Sequence, residues 1–423
     1  MNVDLLITHA AQLLTIPTHD GGPQRGARLG DLGLIEDGAV AIHDQQIVAA
    51  GSTGDLISRY RAAQTIDATG KVVMPGLVDP HTHVVWAGDR AAEFEQRIGG
   101  ATYLEIMNAG GGILSTVRAT RRASVDQLVA ETRPRLDHML AHGTTTVEAK
   151  TGYGLETAAE MRMLDAIDRL DADHAIDLVP TFIGAHAIPS EYKGREDAYT
   201  DHIVEEMLPA ANARRLGLMY CDVFCEAGAF TLAQSRRILE AAQELGFGLK
   251  IHADEFEPLG GTQLGVELGA ASADHLVVTP IDEIEMLGKS NTVAVSLPGT
   301  PFGLGQAAFT PARAILKAGG ILALATDCNP GTTWCESMQM VIAIACRYLH
   351  ITPARAIVAS TLSAAHAIGQ GQRIGSLQPD RQADVIVLDV PDFRHIGYRY
   401  GVNLVETVIK RGRIVVDHRG ETR

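Results

Sequence analysis

In the run Val78-Asp79-Pro80-His81-Thr82-His83, two histidines stand two residues apart at the end of an apolar stretch that begins at Val72. Side chains alternate along a strand, so His81 and His83 aim into one space while Thr82 turns away. Converging imidazoles with room left for water suit a metal ion that accepts nitrogen ligands. Leu249-Lys250-Ile251-His252-Ala253-Asp254-Glu255 sets another histidine just past an apolar run, and Ala273-Asp274-His275-Leu276 repeats the pattern. Leu322-Ala323-Leu324-Ala325-Thr326-Asp327 ends a further run on an acid, followed by Cys328-Asn329-Pro330-Gly331. Any one of these is explained by a polar residue opening a loop. Together they supply histidines and a carboxylate able to hold Zn²⁺ or a similar ion, which activates water near neutral pH.

Such side chains need elements that deliver them to one place. Apolar, strand-like runs at Val72–Asp79, Thr144–Lys150, Leu178–Gly184, Met219–Glu226, Gly248–Ala253, Ser272–Leu276, Thr292–Leu297 and Ile321–Thr326 alternate with helix-length segments such as Thr157–Leu170, Leu232–Leu245 and Pro311–Ala318. That alternation predicts parallel strands with crossover helices, either as a (β/α)₈ TIM barrel or as an open doubly wound sheet. Nearly every strand ends in a polar residue: His81 and His83, Lys150, His186, Glu226, His252, His275, Asp327. A closed barrel collects all its strand ends on one face, whereas an open sheet gathers ligands at a single crevice, so the barrel is predicted. Both chain ends read as short strands and turns, which predicts a small β-sandwich domain built from residues 1–72 and 374–423 around a barrel of residues 73–373. The Gly/Pro-rich piece from Pro17 to Gly33 reads as an exposed connection.

The whole chain narrows the function classes. Its formal charge of -15 argues against nucleic acid and anionic membrane surfaces. No apolar run reaches the roughly 20 residues of a membrane span. The start, Met1-Asn2-Val3-Asp4, lacks a signal-peptide pattern, and five cysteines cannot all pair, so a cytoplasmic setting is expected. Cys221 and Cys225 lie in an apolar strand and read as buried packing residues. His138, His142, His174 and His202 read as surface or packing residues, and His366 as helix packing. Gly110-Gly111-Gly112 is not followed by the Lys-Ser/Thr of a phosphate loop, and reads as a flexible active-site loop.

The ordered pattern, His-x-His on the first strand, His after the fifth and sixth, Asp after the eighth, resembles the amidohydrolase superfamily over essentially the whole chain. The resemblance implies a metal-dependent hydrolase barrel with His81, His83, His252 and Asp327 as ligands of one zinc or iron ion per subunit, and His275 stabilising the reacting oxygen. Further segments are similar to one branch of that superfamily: Trp86-Ala87-Gly88-Asp89-Arg90, Gly110-Gly111-Gly112-Ile113, Lys150-Thr151-Gly152-Tyr153-Gly154, Thr181-Phe182-Ile183-Gly184-Ala185-His186, His252-Ala253-Asp254-Glu255 and Thr326-Asp327-Cys328-Asn329-Pro330-Gly331. That branch opens the ring of 4-imidazolone-5-propanoate with water, giving N-formimidoyl-L-glutamate.

By the same resemblance Arg90, Tyr153 and His186 hold the substrate, Asn329, Gly331 and Thr332 contact the product side, and the subunit pairs as a homodimer. A guanidinium such as Arg90 matches a carboxylate in two hydrogen bonds, although a salt bridge to Asp89 or Glu93 would also account for it. Glu255 and Asp327 are the expected proton carriers, with Glu255 nearest the departing ring nitrogen. Lys150 stands where two-metal relatives bridge their ions, but one metal is expected. The competing function is deamination of a cyclic amidine such as a nucleobase, and Arg90 speaks for a substrate with a carboxylate instead.

Overall fold

The structure is a computed structural model that describes every residue except 19, 101–110, 216 and 421–423. Gly110 of the glycine run therefore lies outside the described residues. The chain opens with β1 (Asn2–Leu14), β2 (Leu34–His43), β3 (Gln46–Ser52), β4 (Arg61–Asp67) and β5 (Val72–Pro75). The barrel strands follow as β6 (Leu77–Asp79), β7 (Thr144–Lys150), β8 (Asp177–Ala185), β9 (Tyr220–Cys225), β10 (Gly248–Ala253), β11 (Ser272–His275), β12 (Val293–Ser296) and β13 (Ile321–Leu324). The chain closes with β14 (Val385–Leu388), β15 (Val405–Lys410) and β16 (Arg413–Asp417).

Strands β6 to β13 pair in sequence order, and all are parallel. Their side chains are buried almost without exception, as befits strands covered on both faces. The first and last strands do not join by a ladder. Their loops close the ring: His83 N–H donates to Cys328 O (3.0 Å), Asp327 N–H to His81 O (3.1 Å), and Thr326 Oγ1–H to the Asp79 carboxylate (2.5 Å). The barrel seam thus lies where His81, His83 and Asp327 must meet.

The terminal strands form one sheet, ordered β16-β15-β14-β5-β1-β2-β3 with β4 on β1. Leu5, Leu13, Val40 and Ile66 from the start share a core with Val385, Val387 and Ile409 from the end. Gly412 N–H donates to Ala383 O and Ala383 N–H to Gln45 O, so the β2–β3 and β15–β16 turns meet and the sheet curls over its core. At the join with the barrel, Lys410 Nζ lies 2.7 Å from Asp384 and 3.0 Å from Asp177 at the start of β8.

Two readings from the sequence need correction. Val72–Asp79 is not one strand: the chain passes from the terminal sheet into the barrel at Gly76, whose α-carbon packs so closely on Thr145 that no Cβ would fit. Pro17–Gly33 is not simply exposed. Arg25 donates to the carbonyls of Gly288, Ser290 and Gly319, and Gly26 N–H bonds Gly320 O, which packs this segment against the base of β13. Helix Thr53–Arg59, with Ser52 capping its first turn, and strand β4 also lie in a region whose pattern showed neither. Among the described residues no helix is long and apolar enough to cross a membrane.

Candidate active site

The ends of β6, β10, β11 and β13 converge on one spot. Ligand-capable atoms of His81, His83 and His252 lie within 4.8 Å of one another, and all three residues are buried. Asp327 Oδ1 stands 3.7 Å from His81 Nε2 and 3.9 Å from His83 Nε2. The imidazoles are oriented from behind. Asp274 Oδ2 lies 2.6 Å from His81 Nδ1, and Asp222 Oδ2 lies 3.0 Å from His252 Nδ1. A carboxylate at Nδ1 keeps the proton there and turns the Nε2 lone pair forward.

The donor set fits a metal ion. His81 Nε2 is buried and has no hydrogen-bond partner among the described residues, while the Nε2 atoms of His83 and His252 face each other at 3.3 Å. Burial first, then neighbouring positive groups, holds the His81 and His83 pKa values well below the usual histidine range, so both rings are neutral. Buried lone pairs pointing at one another cost free energy unless a cation fills the space between them.

Beneath this cluster, Lys150 Nζ donates to Glu148 and Asp222, each at 2.7 Å. Burial opposes its charge, but Asp222, Glu148 and Asp274 outweigh that and hold the ammonium above the usual lysine range. Glu148 also accepts from Thr82 N–H at 3.2 Å, tying this ion pair to the His-x-His segment.

Above the cluster opens a cavity of about 640 Å³. His83, Arg90, Tyr153, His186, His252, Glu255, His275, Asp327, Asn329, Gly331 and Thr332 all line it, whereas His81 lies behind the wall. His186 stacks on His83 with ring centres 4.5 Å apart, and its Nδ1 donates to Gly152 O (3.0 Å), so Nε2 keeps an acceptor lone pair. Burial lowers its pKa to about 3. The Tyr153 phenol is kept protonated by burial and by Asp327. Glu255, 3.6 Å from His275 Nδ1, is pushed well above the usual carboxylate range by burial and then by Asp327 and Glu226. Burial raises the Asp327 carboxyl to about 6, against the hydrogen bond from Thr300.

Several expected residues have a narrower place than the sequence allowed. Arg90 does pair with Glu93, at 2.8 Å, but it does so at the cavity mouth. Asn329 lines the cavity, yet its amide is engaged in its own loop: Oδ1 accepts from Gly331 N–H and Thr332 N–H (2.8 Å each), and Nδ2 donates to Asp327 O (2.7 Å). Asp254 bonds Thr262 Oγ1 at 2.6 Å, leaving Glu255 as the acid of that pair which faces the cavity. His138, His142, His174, His202 and His366 do not line the cavity.

The buried acids Glu148, Asp222 and Asp274 were not singled out from the sequence, although an acid inside an apolar strand must find a buried partner. Two loop anchors have roles that the sequence did not show, Glu226 having stood there only as the polar end of its strand. Glu160 accepts from the N–H groups of Gly152, Gly154 and Leu155 around Tyr153, and Glu226 from those of Phe256 and Glu257 beside Glu255.

Comparison with known proteins places this architecture. Residues 72–415 match the amidohydrolase family. Imidazolonepropionases from Herpetosiphon aurantiacus and Chloroflexus aggregans are 58% and 52% identical to the chain over 420 and 421 residues, covering 98% of it in each case and 97% and 98% of those proteins. The imidazolonepropionase of Geobacillus kaustophilus is 47% identical over 417 residues, 98% of each chain. Among solved structures, a zinc-bound adenosine deaminase from Xanthomonas campestris superposes with a TM-score of 0.70 at 20% identity, covering 99% of this chain and 94% of its own. A triazine hydrolase variant does so with 0.76 at 16% identity, covering 98% and 95%. These two likenesses concern the fold.

Proposed function

The chain belongs to the amidohydrolase family, and we propose that it acts as an imidazolonepropionase, opening the ring of 4-imidazolone-5-propanoate with water to give N-formimidoyl-L-glutamate. What carries this reading is one cavity with neutral, converging imidazoles and Asp327 at its base and Arg90 at its mouth. Identities of 47% to 58% to imidazolonepropionases over nearly the full chain support it.

A zinc or iron ion held by His81, His83, His252 and Asp327 would supply an acidified water and a Lewis acid for the ring carbonyl. One ion per subunit is the reading supported by Lys150, because an ammonium locked between Glu148 and Asp222 is not a metal ligand. The chain's own groups do the rest. Arg90 receives the propanoate, the His186 Nε2 lone pair accepts a ring N–H, and the Tyr153 hydroxyl donates to the substrate. As water oxygen bonds to the ring carbonyl carbon, His275 steadies the developing negative charge and Asp327 takes the proton. The ring C–N bond then breaks, and Glu255, whose burial favours the protonated carboxyl, gives a proton to the departing nitrogen. Asn329 shapes the Gly331–Thr332 turn against which the product rests.

A homodimer and a cytoplasmic setting belong to the same proposal; five unpaired cysteines support the second. The test is to incubate metal-loaded protein with 4-imidazolone-5-propanoate, following loss of ring absorbance and assaying ammonia in parallel. Ring loss without ammonia is the expected result. Release of ammonia from a cyclic amidine, with the imidazolone untouched, would instead establish deamination.

A further inference from the structure

The cavity mouth is charged more subtly than one arginine facing one carboxylate. Helix Ala91–Ile98 starts immediately after Arg90, and residues 90, 93, 94 and 97 fall on one face by helical spacing. All four line the cavity. Arg90 Nε already donates to Glu93 Oε2 at 2.8 Å, and Glu93 is further held by Gly112 N–H (3.1 Å) and Ser115 Oγ (2.9 Å). The Arg90–Glu93 pair is therefore close to neutral as a unit. Arg97 differs: among the described residues it has no carboxylate partner, and its Nη1 donates only to the carbonyl of Gly331 at 3.3 Å. Gly331 touches both guanidiniums: Arg97 Nη1 donates to its carbonyl, and Arg90 Nη1 covers the face of its α-carbon so closely that a Cβ there would push the Arg90 guanidinium aside. The three charged groups sum to one net positive charge, and Arg97 is the one that supplies it.

We infer that Arg97 is a second recognition group for the substrate's carboxylate, and that it sets specificity for an anionic arm over a neutral one. Arg90 offers its remaining N–H donors for direct hydrogen bonds, and Arg97 provides the uncompensated charge that makes an anion favourable at the mouth. A carbonyl is a weak partner for a guanidinium, so Arg97 gains when a carboxylate arrives. The inference rests on the ring-opening reading for its substrate, but not for its test.

The test uses the metal-loaded enzyme and two probes that cannot be hydrolysed, 3-(imidazol-4-yl)propanoate and 4-propylimidazole, with binding measured by calorimetry. The native protein is expected to prefer the carboxylate probe. Arg97→Met is expected to weaken that probe by about tenfold or more and to leave the neutral probe unchanged, with Arg97→Lys retaining part of the preference. In turnover of 4-imidazolone-5-propanoate, Arg97→Met raises KM by a similar factor while kcat stays within about twofold. Equal weakening of both probes would reduce Arg97 to a structural residue, and unchanged binding of the carboxylate probe would remove it altogether. A native enzyme that separates the two probes, with the separation lost in Arg97→Met, yet leaves the imidazolone intact supports Arg97 and overturns the ring-opening reading.

Discussion

The base and the mouth of this cavity are built on opposite plans. At the base, His81, Lys150, Asp222, Asp274 and Glu148 are fully buried on or just beyond barrel strands, and ion pairs link them: His81 to Asp274, and Lys150 to both Glu148 and Asp222. Asp327 and His275 hold left-handed backbone angles (φ 53° and 77°), an arrangement that survives only where surrounding structure enforces it. At the mouth, helix Ala91–Ile98 buries none of its residues, and Phe94 is 55% exposed. The difference teaches where each task sits. Ligand geometry must hold to a fraction of an ångström, so it belongs on rigid strands with a buried ionic underlayer. Recognition of a flexible carboxylate arm tolerates longer side chains on an exposed helix.

This contrast yields predictions that separate metal content from substrate affinity. The largest effect is expected at the base: His252→Ala abolishes metal retention, measured by elemental analysis, and turnover with it. Next, Glu255→Gln lowers kcat by about 10²–10⁴-fold with metal content unchanged; full turnover in that variant would take Glu255 out of the proton path. Asp222→Asn acts through His252, lowering metal affinity about 10–100-fold in chelator competition. Smallest is Gly331→Ala at the mouth, where the added methyl displaces Arg90 and raises KM by about three- to tenfold with full metal content. A mouth variant that lost its metal, or a base variant that changed KM alone, would break the division between the two regions.

Much of this was legible in the chain, for physical reasons. Period-two spacing predicted that His81 and His83 would meet, and they do, although the strand ends at Asp79 and both lie in the segment just past it. Thr144–Lys150 and Gly248–Ala253 were bounded correctly because apolar β-formers end there in turn residues. What the sequence hid is long-range. Asp274 orients His81 across 193 positions of chain, and Glu226 anchors the Glu255 loop from the neighbouring strand. No local pattern reveals such partners. Gly76 passed unremarked inside the run Val72–Asp79 because the contact with Thr145 that demands glycine is tertiary. Arg97 was passed over for the converse reason: a lone arginine on an amphipathic helix looks like any solvated charge until Gly331 is seen beside it.

The central claim, hydrolysis of a carboxylate-bearing imidazolone at this site, is tested most directly by product analysis in ¹⁸O-labelled water. Metal-loaded enzyme given 4-imidazolone-5-propanoate is predicted to yield N-formimidoyl-glutamate carrying one ¹⁸O in its newly formed carboxylate, with no ammonia released. Recovery of the intact ring, or a product that has lost nitrogen as ammonia, would contradict the account.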